Sequence, residues 1–364
     1  NNDAIPPSVV ISELLDVLEN YYQLTGLITK HPLQAFSHRY FDKSSDFSSF
    51  SKTHYETAVS LDKTKYQPEQ WWQGSLDTKI PDIIELNDLF SFYRHPQNYF
   101  LQRKLGLNFG AIAEDIDERE LFELNGLDLY EINQQWIEHR LNDKIFSLKK
   151  LQAQGRWLSG NYGKQVFEQH QQAIDEFSEL IKQQGIGQKS EDQFIDIHIG
   201  KHRLIGKLDN IYDNGSLIYR YANLKGKDFM LAWLHHLIIN RIQPQNTHLI
   251  SLDDSLVFNT NNQQTNTLKK LIKFYIQGQR QPNAFFTESA LAYSKQALKL
   301  KTSNRAKKTA LYVAQEQLAK EMENNRALHQ LYQNVEDLTE LLNENFETHC
   351  ENLILPAWEA VHME

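Results

Sequence analysis

Apolar residues recur at helical spacing from the start of the chain: over residues 8–25, Val10, Leu14, Leu18 and Tyr21 share one face, with Ser8 placed to cap the helix and Gly26 to end it. His31-Pro32 then breaks regularity, and the polar run from Ser44 to Thr53 has no period that defines a core face. Residues 31–80 therefore read as an irregular linker with one short helix near 54–61, and a domain boundary is expected near residue 80. Periodicity returns at Asn87, with a short helix to Arg94, Pro96 in the position that starts a new helix, and Gly106 where that helix should stop. A longer helix is predicted over 161–182, with Val166, His170, Ile174, Phe177 and Ile181 on one stripe and Gln184-Gly185-Ile186-Gly187 after it.

The period then changes from helix to strand. Ile195, Ile197 and Ile199 alternate with Asp196 and His198, the mark of a half-buried strand. Leu204 to Ile211 and Leu217 to Tyr221 are two more strand-like runs, joined by the hairpin signal Asp213-Asn214-Gly215. A helix over 227–241 follows, with Met230, Trp233, Leu234, Leu237 and Ile238 as its core face, and two short runs within 247–258 extend the sheet. Further on, Leu268, Leu271, Ile272 and Tyr275 form one face of a helix whose other face carries Lys269, Lys270 and Lys273. Helical patterning dominates from 287 to the end, apart from the basic stretch Lys301 to Lys308.

Composition narrows the possibilities. The 364 residues are 40% hydrophobic, enough for substantial cores, and suggest two domains or one large decorated one. A formal charge of −9 disfavours a protein whose whole surface binds nucleic acid, though it permits a local basic stripe. The single Cys350 forms no internal disulfide, and no Cys/His pattern has the spacing of a zinc site, so a reducing compartment is expected. No apolar run approaches the ~20 residues that span a bilayer. The opening Asn1-Asn2-Asp3 lacks an initiator Met, and the chain is expected to be a piece of a longer polypeptide. The carboxylates of 114–123 read as a solvated loop rather than a metal site, and adjacent His235 and His236 on one helix point too far apart to share an ion. Neither a phosphate-binding Gly-rich loop nor a nucleophile elbow nor a His-Glu-x-x-His motif is present.

The order helix, strand, hairpin, helix fits a metal-dependent nuclease core. Such chemistry needs an acid on one strand, a second acid on its partner, and a Lys two residues later, the carboxylates holding Mg²⁺ against the phosphate. Asp209 supplies the first acid. Arg220 stands where the second belongs and Ala222 where the Lys belongs. A guanidinium competes with a cation for the same carboxylate, so Arg220 is expected to pair with Asp209 and fill the vacated site. The competing reading is a live nuclease using Asp209 with Lys225 or Lys227 as a migrated catalytic group.

Three segments carry a resemblance to a known family. Phe92-Tyr93-Arg94-His95-Pro96-Gln97-Asn98-Tyr99-Phe100-Leu101-Gln102-Arg103-Lys104-Leu105 resembles a helix corner with Arg-His-Pro, an aromatic pair and Gln-x-Arg-Leu. His31 to Phe41 (HPLQAFSHRYF) and Leu124 to Asn133 (LNGLDLYEIN) resemble two further stretches of the same family, and the similarity runs along nearly the whole chain, weakest in the last 60 residues. The family is that of the RecC subunits, the gamma chains of exodeoxyribonuclease V, and the similarity is to their C-terminal third. The resemblance implies an α/β fold with an inactivated restriction-endonuclease-like (RecB-nuclease-like) core, a small central sheet and heavy helical decoration. Residues 1–30 would be the helical tail of a preceding helicase-like domain, 31–80 a linker region and 81–364 the nuclease-like domain.

Carried over from the live nuclease of the RecB partner, the metal-binding His appears as Lys164, the first acid as Asp209, the second as Arg220 and the Lys as Ala222. The Gln and Tyr of the next helix appear as Phe229 and Trp233. The resemblance thus implies a non-catalytic structural and DNA-guiding module in a bacterial, cytoplasmic heterotrimer with RecB-like and RecD-like subunits. It would hold no metal or cofactor itself, ATP and Mg²⁺ being used by the partner subunits. Double- and single-stranded DNA would be met in the assembled complex. The phosphate-contact candidates are Lys269, Lys270, Lys273, Lys301, Arg305, Lys307 and Lys308, and the hairpin tip Tyr212-Asp213-Asn214-Gly215 is a weaker candidate for splitting a duplex because Asp213 carries the wrong charge.

Overall fold

The computed structural model describes residues 7–62, 71–107, 124–260, 264–302, 309–335 and 337–362. The chain divides into two compact units, residues 1–69 and 70–364. In the first, α1 (Val9–Asn20) follows the expected spacing but ends earlier than Gly26. Gln23 takes a φ of +53°, which a continuing helix does not allow. Ser8 makes no side-chain capping bond, contrary to expectation, and no residue of α1 is buried. A 3₁₀ turn at His38–Tyr40 and α2 (Lys52–Asp62) complete this unit, joined by a hydrogen bond from His38 Nε2 to the Ala58 carbonyl (3.1 Å).

The second unit opens with β1 (Ile83–Glu85), α3 (Leu86–Arg94) and α4 (Pro96–Tyr99), followed by a π-helical turn over Phe100–Lys104. Pro96 starts its helix and Gly106 leaves the turn at a φ of +68°, both as predicted. The acidic run 114–123 lies outside the described residues. Next come α5 (Gly126–Leu141), capped by the Asn125 side chain, α6 (Leu148–Ala153) and α7 (Gly160–Gln183). On α7 the buried stripe is Phe167, Ile174, Phe177 and Ile181, so Phe167 takes the place predicted for Val166 and His170, which are only half-buried.

Strands β2 (Gln193–Ile199) and β3 (His202–Leu208) pair antiparallel along their full length, and β1 adds to the other edge of β3 in parallel. Gly206, at a φ of +152°, lets β3 approach α3: a Cβ there would meet the Leu86 side chain at 2.9 Å. The single strand predicted over 204–211 is in fact two. The chain leaves β3 after Leu208, turns at Asn210 (φ +59°), and enters β4 (Ile211–Tyr212) in a second sheet. Asn tolerates that left-handed conformation, which is why the break falls there.

The predicted hairpin survives as β4 and β5 (Gly215–Tyr219), paired Ile211 to Ser216 and Tyr212 to Gly215. From β5 the chain crosses through α8 (Gly226–Ile239) to β6 (Thr247–Ile250), which lies parallel to β5, then to antiparallel β7 (Ser255–Phe258). The predicted core face of α8 is too narrow, since Ala232 through Ile239 are all buried. The helix is clasped on every side. Leu217 and Ile250 face a core built by α5 and α7, while Leu249, Leu256 and Phe258 face the main core around α3 and α8. Burial on both faces is what parallel strands require.

The remainder is helical, as predicted: α9 (Gln264–Gly278), α10 (Thr287–Thr302), α11 (Ala310–Asn324), α12 (Arg326–Tyr332), α13 (Glu344–His349), a π-helical turn at Cys350–Ile354 and α14 (Leu355–Ala360). The chain end then adds β8 (Val361–His362) to β7. The result is a mixed α/β architecture of small sheets and many helices. Among the described residues no helix is long and apolar enough to cross a membrane.

Candidate functional site

The break at Asn210 separates the residues expected to sit together. Asp209 is exposed at the end of the first sheet, where its carbonyl accepts a hydrogen bond from His235 Nε2 (2.7 Å) and its carboxylate one from Asn210 Nδ2 (2.9 Å). Arg220 follows β5 in the second sheet and does not pair with Asp209. Its Nη1 lies 3.1 Å from Oδ2 of Asp228 in the first turn of α8, its Nε donates to the Asn223 carbonyl (3.1 Å), and its guanidinium lies 5.3 Å from the centre of the Tyr130 ring. The expected pairing fails because Asp209 belongs to the other sheet, while the β5–α8 turn delivers a closer carboxylate.

The other inherited positions are also dispersed. Lys164 is exposed in the second turn of α7, 3.8 Å from Glu168. Ala222 lies in the β5–α8 loop, its N–H donating to the Arg220 carbonyl and its carbonyl accepting from Leu252. Phe229 stacks on Trp358 (4.7 Å) and Trp233 on Phe258 (5.8 Å), so both are core residues. Among the described residues no group of three or more His, Cys, Asp or Glu side chains is placed to hold a metal ion. His235 and His236 are buried and reach different partners, His236 Nδ1 lying 3.0 Å from Thr247 Oγ1. Burial lowers the pKa of both, to about 4 for His236.

Beside Arg220 the β5–α8 turn opens into a cavity of about 1140 Å³, walled by the α3–α4 corner, α8, α10, α11 and the start of α12. Lys225, Lys227, Lys295, Lys320 and Arg326 line it, with the carboxylates of Glu288 and Glu321. Glu288 accepts from the backbone N–H of Gly226 (2.6 Å) and Lys227 (3.4 Å), closing the N-terminus of α8. Gly226 is what allows this closeness, since a Cβ there would meet the Thr287 carbonyl oxygen at 2.1 Å. Glu321 accepts from the Ser289 N–H (2.8 Å) and from the Ser289 hydroxyl, in the first turn of α10. Burial raises the pKa of both acids, that of Glu321 to about 7. Lys295 pairs with Asp254 (2.5 Å). His95, also in the wall, is held at about 4 by burial and then by the nearby Lys227, so its ring is neutral at neutral pH.

The predicted phosphate contacts lie elsewhere. Lys269, Lys270 and Lys273 occupy the exposed face of α9 as predicted, with Lys270 Nζ donating to Asn352 Oδ1 (2.7 Å). Lys301 is exposed near the end of α10, and Arg305, Lys307 and Lys308 lie outside the described residues. The hairpin tip does not project freely: Asp213 and Asn214 are tied to the Gly185–Gln188 segment, with Asp213 Oδ2 accepting from the Gln188 N–H (2.9 Å) and Asn214 Nδ2 donating to the Gly185 carbonyl (2.9 Å). The sequence reading missed Lys320, Arg326 and the partner role of Asp228. Asp228 in the first turn of a predicted helix was a visible signal, because carboxylates favour that position. Lys320 and Arg326 carried no signal, being ordinary cations on two different helices.

A family model of the RecC C-terminal domain matches residues 81–298. Among curated relatives, the RecBCD enzyme subunit RecC of Haemophilus influenzae is 25% identical over 252 residues, 65% of this chain and 22% of the relative. The RecBCD enzyme subunit RecC of Escherichia coli K12 is 25% identical over 256 residues, 64% of this chain and 22% of the relative. That of Buchnera aphidicola from Acyrthosiphon pisum is 21% identical over 309 residues, 79% of this chain and 28% of the relative. The chain thus spans about a quarter of the length of the curated relatives it matches.

Proposed function

The chain belongs to the family of RecC C-terminal domains, and from that premise we propose that it is a non-catalytic structural and DNA-guiding module of an exodeoxyribonuclease V complex in bacterial double-strand-break repair by homologous recombination. Its core is a restriction-endonuclease-like fold that has lost its metal site. One observation carries this reading: Arg220, in the place of the second metal-binding acid, is engaged by Asp228, leaving Asp209 without a second carboxylate. A guanidinium in place of a carboxylate cannot ligate the cation that a nuclease needs, wherever the fold holds it. Phe229 and Trp233 reinforce it, since both are buried in the core and unavailable to a substrate.

In this role the module joins RecB-like and RecD-like subunits in the cytoplasm. Those subunits bind ATP and Mg²⁺, while this chain contacts the motors and the parted strands. The exposed apolar side chains of α1, with Val9 72% and Val10 75% exposed, fit a helix covered by a neighbouring part of the assembly. The purified chain, incubated with linear DNA and Mg²⁺ or Mn²⁺, is expected to leave the DNA intact, and Asp209→Ala to change nothing. Cleavage that disappears in Asp209→Ala would overturn the reading in favour of a metal-dependent nuclease using Asp209 with Lys225 or Lys227.

A further inference from the structure

Among the described residues, the cavity beside Arg220 is lined by five cations, Lys225, Lys227, Lys295, Lys320 and Arg326, and by only two carboxylates, Glu288 and Glu321. Its two acids are committed to backbone donors: Glu288 closes the start of α8 and Glu321 binds the first turn of α10. Lys295 is matched by Asp254. Lys225, Lys227, Lys320 and Arg326 make no ion pair among the described residues, although they come from a loop and three helices that converge on the same space. Bringing like charges together without partners costs free energy in the empty protein, and an anionic ligand recovers it.

Size and lining define that ligand further. At about 1140 Å³ the cavity exceeds the roughly 300–1,000 Å³ common for small-molecule sites. Among the described residues its wall holds no Phe, Tyr or Trp side chain, so base stacking is left to the His95 ring and the Arg326 guanidinium and contacts to phosphate dominate. Side-chain amides such as Asn98, Gln102, Asn223 and Gln317 complete the wall, and these donate readily to phosphate oxygens. Neutral His95 adds one further donor without adding charge.

We propose that this cavity binds the phosphodiester backbone of a single nucleic-acid strand, through Lys225, Lys227, Lys320 and Arg326, without reading its bases. The inference deepens the DNA-guiding role and rests on it, but it moves the contact from the Lys269/Lys270/Lys273 face of α9 to the cavity. A strand held by its phosphates alone slides through without a preferred sequence, which suits a guide.

The test is fluorescence anisotropy of the full chain with a labelled 20-nucleotide dT strand between 50 and 200 mM salt. Three exposed cations are neutralised together, Lys225→Gln, Lys320→Gln and Arg326→Gln, and a second variant neutralises Lys269, Lys270 and Lys273. Thermal melting of each variant confirms that it folds. The cavity variant is expected to lose at least about tenfold in affinity at low salt and to flatten the slope of log K against log salt by about 2, three contacts at roughly 0.7 each. An abasic strand of the same length is expected to bind as well as dT.

Full affinity in the cavity variant with loss in the α9 variant would overturn the cavity site while leaving the guiding role standing. Absence of binding by the unmodified chain would overturn both. Equal competition by dTMP or inorganic phosphate would replace the strand with a small phosphate ligand, and tighter binding of poly-glutamate than of dT would replace it with an acidic protein segment. Either result defeats the proposal, as does a preference of more than about tenfold for dT over the abasic strand.

Discussion

Two neighbouring clusters of charge lie on either side of the β5–α8 turn and solve the same electrostatic problem in opposite ways. On one side Arg220 and Asp228, with side chains only 12% and 16% exposed, cancel each other under the ring of Tyr130. On the other, Glu288 and Glu321 accept from backbone N–H groups, and among the described residues Lys225, Lys227, Lys320 and Arg326 make no ion pair. Both clusters contain acids and bases, so counting charges does not separate them. The partner of each carboxylate does. A carboxylate that meets a guanidinium closes a site, whereas one that meets a helix N-terminus leaves nearby cations available to a ligand.

The largest expected effect that tests this contrast is on stability. Asp228→Ala leaves Arg220 nearly buried without its carboxylate and is expected to destabilise the protein by about 3 kcal/mol in urea unfolding. Lys320→Ala, on the cavity side, is expected to change stability by less than about 0.5 kcal/mol. Similar losses from the two substitutions would erase the distinction between a closed and an open cluster.

A smaller, pH-dependent effect is expected from Glu321. Its folded pKa of about 7 lies above the ordinary value of a glutamate, so the folded state holds that proton more tightly than the unfolded chain. The stability it contributes is complete below about 4.5 and is lost as pH rises through about 7. Glu321→Gln keeps an acceptor for Ser289 but has no proton to lose. Its urea midpoint relative to the unmodified protein is therefore expected to be higher at pH 8 than at pH 5. The same difference at both values would mean that Glu321 is not held by burial.

The smallest effect marks the floor of the comparison. Arg203 and Asp196 form a bidentate pair on neighbouring strands of the first sheet, at 2.7 and 2.5 Å, but with side chains 46% and 54% exposed. Solvent weakens such a pair, and Asp196→Ala is expected to cost less than about 1 kcal/mol, falling further in high salt. A loss near that of Asp228→Ala would show that geometry rather than burial sets the strength of these pairs.

Much of this architecture was legible from residue patterns. The alternation from Ile195 to Ile199, the Pro96 start, the Asp213-Asn214-Gly215 turn and the apolar face of α9 each depend on neighbours in sequence, and each appears where the pattern placed it. The motif similarity identified the family. That Arg220 stands where a nuclease reading expects a second acid was visible in the same way, because residue type needs no coordinates. What sequence alone did not resolve was pairing. Whether Arg220 meets Asp209 or Asp228 turned on a single left-handed residue, Asn210, that sends β4 into a different sheet. The cavity depended on still longer connections, since Lys225, Lys320 and Arg326 become neighbours only when α8, α11 and α12 converge. Local backbone preference acts over a few residues and is written in the order of the chain. Electrostatic partnership acts across space, and only the tertiary fold decides which charges share it.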